Sequence, residues 1–191
     1  MKQCEFEEMY NQYIQNRNYI SKNYTDIYRM QNLRKKCYKD FFYKIKDIDG
    51  IEENVKKYLE DAHKKQEWKI SYQNIFSLVL DLNSEIFIPI LVSIAKGTYE
   101  NCPVYQALDA LMYIKCNVSE EVIQEICDTI TKNADHWNVE TIEIALQIFA
   151  WIDTEVGYEY LKNNRNNSNK IVAHYANHWY NFLQDDEDDD E

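Results

Sequence analysis

A hydroxyl residue followed by a glutamate recurs at intervals of thirty-five residues in this chain of 191 residues. The three pairs are Ser84-Glu85, Ser119-Glu120 and Thr154-Glu155. Such a pair is typical of a helix start, because the side-chain oxygen can accept from a free backbone N–H and the acid lies at the positive end of the helix dipole. A helix start with a fixed period predicts one supersecondary unit, a pair of helices, repeated along the chain.

Apolar residues repeat with the same period. The aligned sets are Ile75, Ala110 and Ala145; Val79, Ile114 and Phe149; Ile88, Ile123 and Tyr158; and Leu91, Ile126 and Leu161. Positions in register imply that each unit buries equivalent faces. The pattern predicts helices at about 69–82, 85–97, 103–116, 119–134, 138–152 and 154–164, and a capping helix at 169–184.

The composition supports an all-α fold. The chain has only three Gly and two Pro, whereas folds rich in tight turns need many of both. The apolar pattern of residues 1–68 predicts irregular N-terminal helices, one of them from Asp26 to about Lys46. The clearer repeats cover 69–165. We therefore expect a single helical domain over 1–184, followed by an acidic disordered tail at 185–191.

The alternation of short and longer loops between these helices resembles that of HEAT-like α-solenoids. The resemblance implies antiparallel helix pairs stacked as a short superhelix. The tetratricopeptide repeat has a similar length of about 34 residues, but its Trp, Leu-Gly, Tyr and Ala pattern is missing here. It is the second choice of fold.

The net charge of −12 is unevenly distributed. Residues 1–69 carry fifteen Lys and Arg against twelve Asp and Glu; residues 70–184 carry six against fourteen, a net of −8, and the tail adds −7. An acidic body repels nucleic acid and anionic membranes and attracts basic proteins. We expect one basic protein partner, with neither nucleic acid nor a membrane as a direct ligand.

Cysteine usage and the N-terminus predict a cytoplasmic protein. The five cysteines form no CxxC pair, which favours reduced thiols. The N-terminal residues are acidic and include no apolar run typical of a signal peptide. The longest apolar stretch, 86–95, is too short to span a bilayer.

The sequence has no signature of an enzyme or a cofactor site. Neither GxSxG, a phosphate-binding loop nor a dinucleotide glycine motif occurs. His174 and His178 have a spacing that can bind Zn²⁺, but Tyr175 stands where a zincin has Glu, so ordinary surface histidines are the default. We expect no catalytic, cofactor or metal site. The basic run at 34–36, with Lys39, Lys44 and Lys46, is interpreted as a solvated helix face or a phosphate contact.

Acidic residues of the second helices form the candidate partner-binding set. Capping explains Glu85, Glu120 and Glu155, whereas the predicted site consists of Glu121, Glu125, Asp128 and Glu159, with Trp137 and Tyr158 as aromatic anchors. Equivalent helices of a solenoid line one surface, so these acids would form a stripe. The alternatives are a solvated polar face for the acids and, for Trp137, a hydrophobic staple before the next helix.

In size, charge and helix pairing the chain resembles small bacterial immunity proteins, which bind the toxic domain of a contact-dependent or polymorphic toxin. The resemblance implies a non-enzymatic antidote to a basic, nuclease-type toxin domain. Two alternatives stay open: a solenoid scaffold or adaptor for another protein, and a HEAT-like DNA-repair enzyme. The second would need a basic groove, which the acidic body disfavours.

Overall fold

The computed structural model describes residues 1–68, 72–114, 118–152 and 154–188, excepting the side chains of 72, 73 and 186–188. Every regular element in these ranges is helical, which confirms the all-α prediction. The α-helices are α1 (Gln3–Asn23), α2 (Ile27–Ile45), α3 (Ile51–Lys65), α4 (Tyr72–Leu82), α5 (Ile88–Ala95), α6 (Val104–Tyr113), α7 (Glu120–Asn133), α8 (Val139–Trp151), α9 (Glu155–Asn164) and α10 (Lys170–Asp188). Short 3-10 helices cover Glu85–Phe87 and Ala134–His136. Among the described helices, none is both long enough and apolar enough to cross a membrane.

The helices form two compact units, Met1–Leu82 with α1 to α4 and Asn83–Glu191 with α5 to α10. The boundary falls in the loop that joins the helices of the first predicted pair. Helix α10 continues to Asp188, beyond the end predicted at 184. Residues 69–71 and 115–116 of the predicted helices and 189–191 of the predicted tail lie outside the described residues.

An aromatic cluster forms one part of the core of the first unit, beside buried aliphatic residues such as Ile45 and Leu59. Phe6, Tyr10 and Tyr13 are buried on one face of α1, as their spacing of three and four residues requires. The ring of Tyr13 stacks on Phe41 of α2 with centroids 4.8 Å apart, and Tyr10 meets Tyr58 of α3 at 5.2 Å. These contacts hold α1 against both α2 and α3.

Polar contacts also join and cap the helices of this unit. The buried Tyr13 hydroxyl donates to Oδ1 of Asn74 on α4, at 3.0 Å. Asp26 caps α2 by accepting from the backbone N–H of Arg29, at 2.8 Å. Since a buried hydroxyl without a partner is costly, the Tyr13–Asn74 bond fixes the position of α4 against the aromatic cluster.

In the second unit, the helices contact one another in two series. Helix α6 contacts α8, which contacts α10, while α5 contacts α7, which contacts α9. Aliphatic residues fill the space between the helices, for example Leu111 of α6, Ile123 and Ile126 of α7 and Ile148 of α8, all at most 2% exposed. Helices α7 and α9 therefore lie side by side, which positions the site described below.

The three hydroxyl–glutamate pairs lie at helix starts as predicted, but only one hydroxyl makes a cap hydrogen bond. Helices begin at Glu85, Glu120 and Glu155. The Thr154 hydroxyl accepts from the backbone N–H of Gly157 at 3.2 Å, whereas Ser84 and Ser119 occupy the N-cap position without a cap bond from the side chain. The first of these helices is a 3-10 turn that continues into α5.

Candidate functional site: an acidic groove between α7 and α9

A groove of about 380 Å³ runs between α7 and α9. Its lining residues are Glu120, Gln124 and Cys127 of α7 and Glu155, Val156, Glu159, Tyr160 and Asn163 of α9. The spacing of four and three residues on each helix puts these side chains on one face. Carboxylate and amide side chains from both helices thus line the groove, together with the apolar Val156, the Cys127 thiol and the Tyr160 ring.

The charge of this groove is negative. In the described part of the chain, neither Glu120 nor Glu155 is in an ion pair, and both side chains are exposed. Glu159 pairs with Lys162 of its own helix, at 2.8 Å. Within the described ranges, a cationic side chain entering the groove would therefore meet two carboxylates outside any ion pair, Glu120 and Glu155, beside the Glu159–Lys162 pair.

The floor of the groove includes two groups that are protonated at neutral pH, the Cys127 thiol and the Tyr160 hydroxyl. Cys127 is 2% exposed, and burial, with a smaller effect of Asp128, raises the pKa of its thiol to about 12. A protonated thiol is a poor nucleophile. The Tyr160 hydroxyl lies 3.0 Å from the hydroxyl of Thr131, and burial raises its pKa. The floor thus offers packing and hydrogen bonds, which suits binding.

Two predicted site residues, Glu125 and Asp128, lie on a neighbouring face of α7. Glu125 forms an ion pair with Lys96, and Asp128 accepts from Nε2 of Gln124 at 2.9 Å. Both line a separate cavity of about 200 Å³ that also includes Lys96 and Lys132. The two lysines balance the two acids, so this face has little excess negative charge.

Glu121 is exposed in the first turn of α7, where a hydrogen bond from Ser119 lowers the pKa of its carboxyl. Trp137 is half-buried directly before the N-cap Asn138 of α8, the position that a hydrophobic staple requires. Neither residue lines the groove.

Tyr158 connects α9 to α10. Its hydroxyl donates to the Tyr180 hydroxyl at 3.1 Å and accepts from Nε2 of Gln184 at 3.3 Å. The two tyrosine rings lie 5.3 Å apart. This hydroxyl is therefore engaged within the second unit, and of the predicted set only Glu159 lines the groove.

Capping alone explained Glu120 and Glu155 in the sequence, and in the structure both also line the groove. The signal was already in the sequence. The thirty-five-residue period places the two glutamates at equivalent sequence positions, at the starts of α7 and α9, and these two helices contact each other. Glu85, the third member, begins the 3-10 turn before α5.

The two candidate histidines lie on α10 with both rings exposed. The His174 ring packs on Tyr175 at 5.0 Å, and the His178 ring packs on Trp179 at 4.6 Å. Among the described residues, no group of three His, Cys, Asp or Glu side chains has an arrangement that could hold a metal ion.

The fold and this site define a helical protein with an acidic groove on its second unit. No protein-family profile, curated protein or solved structure matches the chain.

Proposed function

We propose that this chain is a non-enzymatic protein-binding module that receives basic side chains of a partner in the groove between α7 and α9. The observation that carries the proposal is the convergence of Glu120, Glu155 and Glu159 on one groove whose lining residues include no Lys or Arg. Opposite charge across an interface accelerates association and sets its register. The negative charge of residues 70–184 extends this attraction beyond the groove.

The same proposal includes a HEAT-like α-solenoid for the second unit, built from antiparallel helix pairs. Two series of contacting helices, α6–α8–α10 and α5–α7–α9, are what stacked helix pairs produce. The thirty-five-residue period supports the stacking, because it gives α7 and α9 equivalent faces. A solenoid of this kind presents one row of helices as a continuous binding surface.

The biological role that we propose is that of an immunity protein, acting in the cytoplasm against a basic toxin domain of the nuclease type. A nuclease presents Lys and Arg intended for phosphate, and a groove of carboxylates competes for them. An antidote also benefits from fast, charge-steered association. Glu121, Trp137 and Tyr158 do not line the groove, and their part in partner binding stays a prediction.

The experiment captures the partner with the wild-type protein and then measures its association rate against salt concentration. We expect one basic protein whose association slows as salt rises. The variant Glu120→Lys/Glu155→Lys should slow association about tenfold or more at low salt. The matched control is Glu100→Lys/Glu140→Lys, which makes the same change of charge at two exposed glutamates of this unit outside the groove.

Two outcomes contradict the proposal. A neutral partner whose association rate does not change with salt concentration would exclude the acidic groove as the binding site. Equal slowing of association in both double variants would show that the net charge of the unit, and not the groove, sets the rate. The immunity role has its own test. Cells that express the captured protein should stop growing, and co-expression of the wild-type chain should restore their growth. A captured protein that is harmless to the cell indicates an adaptor instead.

A further inference from the structure

The first unit contains a larger groove, of about 470 Å³, along α1 and α2. Its apolar lining consists of Met9, Tyr13 and Ile20 from α1 with Leu33 and Phe41 from α2. Tyr13 and Phe41 are buried, and the other three are half-buried. The floor is therefore already packed, while the walls keep apolar surface accessible to a ligand.

The groove has the dimensions of a helix site. The lining residues of each helix recur every three or four positions, from Met9 to Ile20 and from Leu33 to Lys44. Each span of twelve residues extends about 16 Å along its helix, or three turns. Tyr13 contacts Phe41 near one end, and Nε of Arg34 donates to the Ser21 hydroxyl at 3.0 Å near the other. An amphipathic helix laid between two helices is a common recognition mode.

The α2 side of the groove presents a regular charge pattern. Lys36, Asp40 and Lys44 lie one turn apart, all three are exposed, and all three line the groove. In the described ranges none of them is in an ion pair, although a spacing of four residues permits one. On the α1 side the amide of Gln12 donates to Asn16, at 3.1 Å. The α2 side is thus charged in the order base, acid, base, whereas the α1 residues that line the groove are neutral, with Arg17 of α1 close to Tyr13 and Cys37.

We propose that this groove binds an amphipathic α-helix of a different protein, in which acid, base and acid follow one another at four-residue intervals beside the apolar stripe. The apolar stripe covers Met9, Ile20 and Leu33. The two acids pair with Lys36 and Lys44, and the base pairs with Asp40. Charged residues that flank an apolar seam select partners in this way, because the reversed order brings like charges together. This site is separate from the acidic groove, and it does not depend on the function proposed there.

A second copy of this chain does not supply such a helix. The acid–base–acid pattern occurs in the sequence only in α3, as Glu52-Lys56-Glu60 and Glu53-Lys57-Asp61. The apolar residues Val55 and Leu59 of α3 are fully buried in the first unit. A folded copy therefore has no apolar stripe available beside this pattern, and the partner is a different chain.

The test is a selection of helical peptides on the full-length protein. The library displays eighteen-residue helices with a randomised apolar stripe and with Glu, Lys or Ala at each flanking position. Wild-type protein should enrich Glu-x3-Lys-x3-Glu flanks. The charge-swapped variant Lys36→Glu/Asp40→Lys/Lys44→Glu should enrich the reversed order and bind the wild-type winner at least about tenfold more weakly. The control variant Lys39→Glu makes the same change in net charge on the same helix but outside this groove. It should enrich the same charge order as the wild type and bind the winning peptide with unchanged affinity.

A variant of the apolar wall provides the second measurement. Leu33→Trp places a larger side chain in the groove and should abolish binding of the winning peptide, with the helical circular dichroism unchanged. The proposal is overturned if wild-type protein enriches no peptide, if both proteins enrich the same charge order, or if a folded Leu33→Trp variant retains the affinity. If Leu33→Trp does not fold, the reversal of charge preference decides the question.

Discussion

Among the three hydroxyl residues that recur every thirty-five positions, Thr154 is the one whose side chain makes an N-cap hydrogen bond. Its hydroxyl accepts from the N–H of Gly157 at the start of α9. Replacing it by alanine leaves that N–H without its partner, so Thr154→Ala should lower the free energy of unfolding by about 1 kcal/mol. Chemical denaturation at neutral pH measures the loss.

Ser119 is the matched control for Thr154, because it lies thirty-five residues earlier at an N-cap position without a cap bond, and its hydroxyl instead bonds the exposed Glu121 carboxyl. Ser119→Ala should change the free energy of unfolding by less than about 0.5 kcal/mol. Equal losses in the two variants would show that the hydroxyl–acid pairs stabilise the helices through something other than the cap bond.

At the scale of the element, α1 depends on its aromatic face. Phe6 is fully buried and packs on both Tyr10 and Tyr58. Phe6→Ala creates a cavity in this cluster and should cost about 3–5 kcal/mol of stability. Tyr28 of α2 is 82% exposed, and Tyr28→Ala should stay within about 0.5 kcal/mol of the wild type. Denaturant titration of both variants compares them, and a loss below 1 kcal/mol for Phe6→Ala would mean that α1 is not anchored by its aromatic face.

At the scale of the whole molecule, buried tyrosine and cysteine side chains predict a loss of stability in alkali. Burial raises the pKa of Tyr13 to about 12 from 10.0, and that of Cys127 to about 12 from 9.0. Burial also raises the pKa of Tyr58. Each group keeps its proton up to a higher pH in the folded state than in the unfolded state. The stabilisation from these groups is therefore complete below pH 9 and falls as pH rises from 9 towards 12.

Denaturation at pH 7, 9, 10 and 11 measures this loss. Tyr13→Phe removes one of the groups and should reduce the slope of unfolding free energy against pH, although it also removes the hydrogen bond to Asn74. A free energy of unfolding that stays constant up to pH 11 would contradict the burial of these hydroxyl and thiol groups. An unchanged slope in Tyr13→Phe would exclude Tyr13 as a contributor.

How far the sequence predicts the fold depends on the range of each interaction. Helix starts at Glu85, Glu120 and Glu155 were predictable, because they depend on a few neighbouring residues. The boundary between the two units at Leu82 was not, since the apolar period continues through it. The pairing of Lys96 with Glu125 joins residues twenty-nine positions apart on different helices, and no local pattern marks it.

The sequence by itself determined the helical class, the period and the uneven charge, because these follow from local propensity, side-chain spacing and composition. Tertiary structure alone decided which charged side chains are balanced by a neighbour and which line a groove where a partner could bind. It balanced Glu125 and Asp128 with lysines of the neighbouring cavity, brought Glu120 and Glu155 to one groove with Glu159, and lined a second groove with Lys36, Asp40 and Lys44. The physical reason is that a side chain's electrostatic role depends on which other charges lie within a few ångströms, and packing between helices sets those distances.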